Sequence, residues 1–263
     1  LNHSGASDPS VSDFTFGLSI GPQRCGTQHL RRYFKARSDV CLPADAQEIF
    51  YFDRHFQRGP DFYFSHFHPR EDNHMLLELT TTAFDHLEAP RRVRNLMGQD
   101  VRLICPLRDP VERSMAVYRD YVRYGIVHGS IAEAVELAPQ ILFSSRYSDH
   151  LKRWYDVFDP ARIHILFYEE WEADETAFFA NACKGLGISY HDLVMDSADT
   201  VKHQSFLSQS LEKLRKKWPF GVQKNTASAY LDKQNYAWLK DRLEGETEKL
   251  KSELGLSVSY WNL

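Results

Sequence analysis

A chain of 263 residues is long enough to bury a substantial core, and 43% hydrophobic with 13% aromatic residues is the composition of a folded protein. With 32 Lys and Arg against 36 Asp and Glu, the formal net charge of -4 excludes a global pull toward nucleic acid or an anionic membrane, so any anion site must be local. The 4 cysteines (Cys25, Cys41, Cys105, Cys183) form no CxxC pair, which argues against a zinc module, and no apolar stretch is long enough to span a bilayer.

Residues 1–12 are polar and small, without the charged-then-apolar plan of a signal peptide. They read as a frayed segment ahead of a single α/β domain over 13–263, with cytoplasmic residence the expectation. The β-like run Phe14–Ile20 leads through Gly21-Pro22-Gln23-Arg24-Cys25-Gly26-Thr27 into the helix-like run Gln28–Phe34. Gln47–Phe52 is aromatic and β-branched enough for a second strand, with Glu48 where it begins. Between Arg54 and Glu78, broken by Pro60 and Pro69, short helices and loops are expected. Arg91, Arg92 and Arg94 have the spacing of a solvated helix face.

Val101–Leu107 is almost wholly apolar, as a strand covered on both faces is. It runs into a helix that Asp109 can cap and Pro110 can start, reaching about Tyr124. A helix from Ser145 to Phe158 follows, with Tyr147 and Trp154 as core residues, then a strand over Arg162–Tyr168. The spacing gives a helix from Glu175 to Lys184 closed by Gly185 and Gly187, and an amphipathic helix from about Asn235 to Leu254. Strands alternating with helices predict a three-layer, P-loop-like α/β fold with a central parallel sheet, whose ligands gather at the strands' carboxyl ends.

A strand, a glycine-bearing turn and a helix start make an anion cradle, because first-turn N–H groups lack partners within the helix and the macrodipole favours negative charge there. Gly21 and Gly26 imitate the nucleoside-triphosphate P-loop. That loop then needs Lys and Ser or Thr, and here Thr27 and Gln28 follow, so a metal-dependent ATPase fits poorly. Arg24 supplies the cation instead, and Arg108 arms a second turn on the same edge. The plain alternative is a glycine-rich connection whose Arg is merely solvated.

From Phe14 to about Gly255 the chain resembles sulfotransferases that use 3′-phosphoadenosine 5′-phosphosulfate (PAPS), in particular the branch with bacterial and carbohydrate sulfotransferases. The family's G-x-x-[KR]-x-G-T loop is matched by Gly21, Arg24, Gly26 and Thr27. Its K-E-x-x-F-F-D-like, G-x-x-W-Y, E-x-T and L-R-D-P-x-x-R segments resemble Glu48–Asp53, Gly59–Tyr63, Glu78–Thr80 and Leu107–Arg113. The resemblance implies that Gln23, Arg24, Cys25, Gly26, Thr27 and Gln28 hold the 5′-phosphosulfate. It also implies that Arg108 grips the 3′-phosphate and that a basic loop with Lys216, Lys217 and Lys224 closes over PAPS.

By the same resemblance Glu48 is the general base, with His55 as rival catalyst, no metal is required, and the nucleotide product is 3′-phosphoadenosine 5′-phosphate (PAP). The acceptor is then a hydroxylated small molecule, lipid or carbohydrate, with an amine as second choice and no nucleic acid partner. A Golgi-lumenal or truncated origin is the alternative to a cytoplasmic one. Three positions depart from the family: Gln47 stands for Lys, Ala116 for a 3′-phosphate Ser, and Gln28 for Thr or Ser. They keep two rivals open, a non-catalytic nucleotide-binding module and an atypical small-molecule kinase.

Overall fold

The computed structural model describes residues 14–193 and 229–261. Segment 1–12 and the basic stretch with Lys216, Lys217 and Lys224 lie outside them. The strands are β1 (Thr15–Ser19), β2 (Val40–Cys41), β3 (Met75–Leu79), β4 (Arg102–Leu107) and β5 (Ile163–Phe167). They form a 5-stranded sheet in the order β2-β3-β1-β4-β5, and every pairing is parallel. In chain order the helices are α1 (Thr27–Lys35), α2 (Pro60–Phe64), α3 (Ala89–Met97), α4 (Pro110–Arg123), α5 (Ile131–Leu137) and α6 (Gln140–Phe143). They continue with α7 (Tyr147–Tyr155), α8 (Tyr168–Ala173), α9 (Glu175–Leu186), α10 (Ala229–Leu243) and α11 (Glu246–Leu254).

Side-chain alternation along the strands divides the core into two layers. On one face Leu77, Leu79 and Ile104 pack with Leu30 and Phe34 of α1 and with Phe178 and Phe179 of α9. On the other, Leu76, Leu103 and Cys105 meet Val93 of α3, Leu151 and Trp154 of α7, Leu250 of α11 and Trp261. This is the expected three-layer arrangement. Tyr147 and Trp154 are fully buried in it, as expected, and all four cysteines are free and buried. Helices α4, α5 and α6 share a further cluster with Leu239 and Leu243 of α10.

Between β2 and β3 one expectation fails and another holds only up to residue 74, with short helices at Phe56–Arg58 and Pro60–Phe64. Gln47–Phe52 is not a strand; the chain there is irregular up to Phe50, and Tyr51–His55 forms a π-type turn in which Arg54 and His55 N–H both donate to Phe50 O at 3.0 Å. The neighbours Tyr51 and Phe52 both enter one aromatic cluster, 5.1 and 5.4 Å from the Tyr63 ring, which a strand's alternation forbids. Conversely, the supposed helix-and-loop region ends in β3, whose five residues are all buried. A strand covered on both faces shows no alternation, and buried Glu78 disguised it.

Other differences are at element ends. The 145–158 helix is trimmed to α7, α9 runs through Gly185 and stops at Gly187, and the C-terminal helix is broken at Gly245 into α10 and α11.

Candidate active site

β1 delivers the phosphate-type loop to the carboxyl edge of the sheet, with Ile20 N–H still paired to Ile104 O at 2.9 Å. Gly21 then passes so close to β4 that a Cβ there would lie 2.2 Å from Pro106 O. Gly26 caps α1 at φ 91°, with no side chain bonded to the cap and no acidic residue in the first turn. His29 N–H donates to Gly26 O at 2.9 Å, which leaves the Thr27 and Gln28 N–H groups for an outside acceptor. Thr27 Oγ1 is buried there without a partner. Unpaired N–H groups at a helix start beside a buried hydroxyl form the donor set that suits an anion.

The second turn differs from its sequence reading. Asp109 accepts Val111 N–H at 2.9 Å and Glu112 N–H at 3.0 Å, so α4 is capped by a carboxylate of its own. Its N-terminal donors are already taken, and the cation this turn offers to the cavity is the Arg108 side chain. That guanidinium lies 4.5 Å over the Tyr168 ring and 3.9 Å from Glu112 Oε2.

Arg24, Gly26, Thr27, Gln28, Glu48 and Arg108 all line one cavity of about 480 Å³ at this edge, along with Gln23 and Gln47. The two basic turns thus share a rim, as expected. Arg24 Nε sits 3.4 Å from Asp120 Oδ2. Among the described residues, the non-glycine residues with positive φ are Arg24 (70°) and Phe50 (53°), and both line this cavity. Left-handed backbone costs such residues about 1–2 kcal/mol and gathers at functional sites.

Glu48 is held from β3's far end. Thr81 N–H donates to its Oε2 at 3.0 Å, and Thr81 Oγ1 approaches Oε1 and Oε2 at 2.8 and 2.9 Å. Burial pushes the Glu48 carboxyl above the usual range, against the opposing pull of Thr81's donors and the Arg31 charge. Arg31 is itself tied to the Gln47 carbonyl. Behind Glu48 lies a second carboxyl, Glu78, fully buried, which accepts Ile49 N–H at 3.2 Å; burial lifts it to about 7. Desolvation that raises a carboxylate's proton affinity is what a general base requires.

The remaining expectations separate. His55 packs edge-on against Phe62 at 5.8 Å and is not among the residues lining this cavity. Cys25 turns its thiol into the core toward the Tyr147 hydroxyl, where burial pushes it up to about 12, so only its backbone belongs to the loop. Ser114 is buried against Ser145 Oγ at 2.8 Å and does not stand in for Ala116. Lys224 lies outside the described residues.

Sequence reasoning missed Thr81, Arg31, His29 and Tyr168, which also line the cavity. His29 stacks on Trp171 at 3.5 Å, and burial lowers it to about 4; Tyr168, 6.1 Å away and tilted by 43°, adds a second ring to this side of the cavity. The E-x-T spacing pointed one residue short of Thr81. Recognising β3 would have put Thr80, Thr81 and Thr82 at the ligand edge.

A parallel sheet carrying an uncapped glycine loop after β1 and an arginine after β4 defines a P-loop-like α/β nucleotide-binding protein. The chain belongs to the sulfotransferase domain family, whose model matches residues 18–252. It is 29% identical over 172 residues to heparan sulfate glucosamine 3-O-sulfotransferase 6 of Homo sapiens, covering 62% of this chain and 48% of that protein. It is 25% identical over 272 residues to bifunctional heparan sulfate N-deacetylase/N-sulfotransferase 1 of Xenopus laevis, covering 93% of this chain and 30% of that protein. The chain thus spans about half or less of these relatives.

The fold is shared with a sulfotransferase from Alicyclobacillus acidocaldarius, at TM-score 0.68 and 19% identity over 94% of this chain and 97% of that one. It is also shared with mouse sulfotransferase SULT7A1, solved in complex with PAP, at TM-score 0.51 and 16% identity over 94% and 88%.

Proposed function

We propose that the chain transfers the sulfuryl group of PAPS to an acceptor hydroxyl, with Glu48 as general base, leaving PAP. The observation that carries this reading is the convergence of Arg24, Thr27, Glu48 and Arg108 on one cavity of about 480 Å³. The family match, and the PAP bound to the mouse relative, support the donor. The heparan sulfate named for the curated relatives supports a carbohydrate among the hydroxylated acceptors.

PAPS supplies the activated sulfuryl group; the protein supplies position and charge. Arg24, with several donors and a permanent charge, stabilises negative charge growing on the departing phosphate oxygen. Thr27 Oγ1 and the α1 N–H groups hold the remaining oxygens, and Arg108 reads the 3′-phosphate. Transfer forms one bond, from acceptor oxygen to sulfur, and breaks one, from sulfur to the bridging oxygen, whose electron pair stays with PAP. The acceptor's proton passes to Glu48, which releases it to water. Thr81 fixes Glu48 through three contacts, so the carboxylate is aimed before the acceptor arrives.

Calorimetric titration with PAP tests the donor site, and transfer of radiolabelled sulfate from PAPS to hydroxyl acceptors tests the activity. Arg24→Ala should weaken PAP by about tenfold or more, the worth of a charge-assisted hydrogen bond. Magnesium-dependent preference for ATP over PAP would overturn the reading.

A further inference from the structure

Residues 47–49 belong to no regular element, yet each is held by a different part of the fold. Arg31 Nη2 of α1 donates to the Gln47 carbonyl, Thr81 N–H and Oγ1 donate to the Glu48 carboxylate, and Ile49 N–H donates to Glu78 Oε1 of β3. Arg31 follows Thr27 by one turn of α1, so the two side chains share a helix face, and both line the cavity with Glu48. On that face Arg31 Nε, like Thr27 Oγ1, is buried without a partner. The helix that offers donors to an anion at its start thus sends a cation to the Glu48 segment from its next turn.

Three carboxyls crowd this corner. Glu78 is fully buried behind Glu48, and Asp53, with a side chain only 8% exposed, acts on both. Asp53 also lines a second cavity of about 340 Å³ with Thr82, Asp85 and Gln140, and Thr81 and Arg54 stand in the wall common to both cavities. Burial and like charges favour a protonated Glu48, which takes no proton from a hydroxyl. Other cations around the cavity already face carboxylates: Arg24 with Asp120 at 3.4 Å, Arg54 with Asp53 at 3.1 Å and Arg108 with Glu112 at 3.9 Å. His29, also on α1, is lowered to about 4 by burial and brings no charge at neutral pH. Arg31 makes no salt bridge among the described residues; its hydrogen bond goes to a neutral carbonyl, and its charge is felt by Glu48 and Glu78. A guanidinium does not give up its proton in a protein.

We propose that Arg31 is a positioning residue that keeps Glu48 ionised and aimed: it holds the 47–49 segment by the Gln47 carbonyl and supplies the positive charge that offsets Asp53 and Glu78. Thr81 then orients a carboxylate rather than an acid. The inference rests on the sulfuryl-transfer reading, in which Glu48 is the base.

The test follows the Glu48 carboxyl against pH by ¹³C NMR in PAP-loaded protein with labelled glutamate side chains, the Glu48 signal being the one lost in Glu48→Gln. The wild-type midpoint should lie below about pH 7. Arg31→Gln keeps a donor for the Gln47 carbonyl and removes the charge, and it should raise the midpoint by about one unit, tenfold in proton affinity. Arg31→Lys restores the charge and should bring the midpoint back to within about half a unit of wild type. The backbone amide spectrum reports that each variant is folded. A wild-type Glu48 still protonated at neutral pH, a midpoint unmoved in Arg31→Gln, or one raised equally in Arg31→Lys overturns the assignment and leaves the donor reading standing. Absence of PAP binding by the wild type overturns the donor reading and this inference with it.

Discussion

Glu48 and Glu78 are two buried carboxyls with separable duties. Glu48 opens onto the cavity and is aimed by Thr81, whereas Glu78 is sealed beneath it and receives Ile49 N–H at 3.2 Å. Glu48→Gln preserves the shape and acceptor capacity that Thr81 needs but cannot take a proton. It should leave PAP affinity within about twofold and cut turnover by about 100-fold or more, the usual worth of a general base. Near-full turnover in that variant would remove Glu48 from the role.

Glu78 carries a different signature, in stability. Its carboxyl is raised from the usual 4.5 to about 7 by burial, so the folded state holds this proton more tightly than the unfolded chain does. Its contribution to stability is full below about pH 4.5 and is lost as pH rises to about 7, an effect of order 3 kcal/mol. Glu78→Gln keeps an acceptor for Ile49 N–H and removes the titration. Thermal unfolding should show the variant gaining on wild type from pH 5 to pH 8; a constant difference would mean that Glu78 does not titrate in this window.

At the scale of elements, the loop between β1 and α1 is fixed by its approach to β4. A side-chain carbon added at Gly21 would stand only 2.2 Å from Pro106 O, so Gly21→Ala forces either the loop or the strand to move. Overpacking of this kind costs about 1–3 kcal/mol. The expected result is a lowered unfolding temperature together with weaker PAP binding, because the same shift displaces the donors at the start of α1. Gly98→Ala meets no atom within 4 Å but must hold φ at +80°, so it strains the backbone away from the loop and should lower the unfolding temperature while leaving PAP affinity unchanged.

The π-type turn matters at this scale too. By folding back on Phe50, Tyr51–His55 brings Asp53 and Arg54 to the second cavity while Tyr51 and Phe52 anchor the core. A strand there would have carried Asp53 away from Thr82 and Asp85.

Across the whole molecule, the elements written in local patterns were legible. Apolar Val101–Leu107, the Asp109-Pro110 start of α4, and the glycines around Arg24 all appear where the sequence put them. Arg24, Glu48 and Arg108, singled out from the sequence, do line one cavity. What was illegible depends on partners distant in sequence. β3 carries no alternation because both its faces are covered, and aromatic Tyr51 and Phe52 suit a strand until Tyr63 claims both. Thr81 and Thr82 gain meaning only once β3 is seen to end beside β1. The capped state of α4 was half visible: Asp109 was read as a cap, yet the capping carboxylate also fills the place that an anion would take.

Arg113 joins pieces that would otherwise evolve independently. One guanidinium fastens the carbonyl of Gln23, in the loop after β1, to the carbonyls of Gln140, in the wall of the neighbouring cavity, and of buried Ile141. It is a rivet through two segments, so a change at position 113 disturbs both at once.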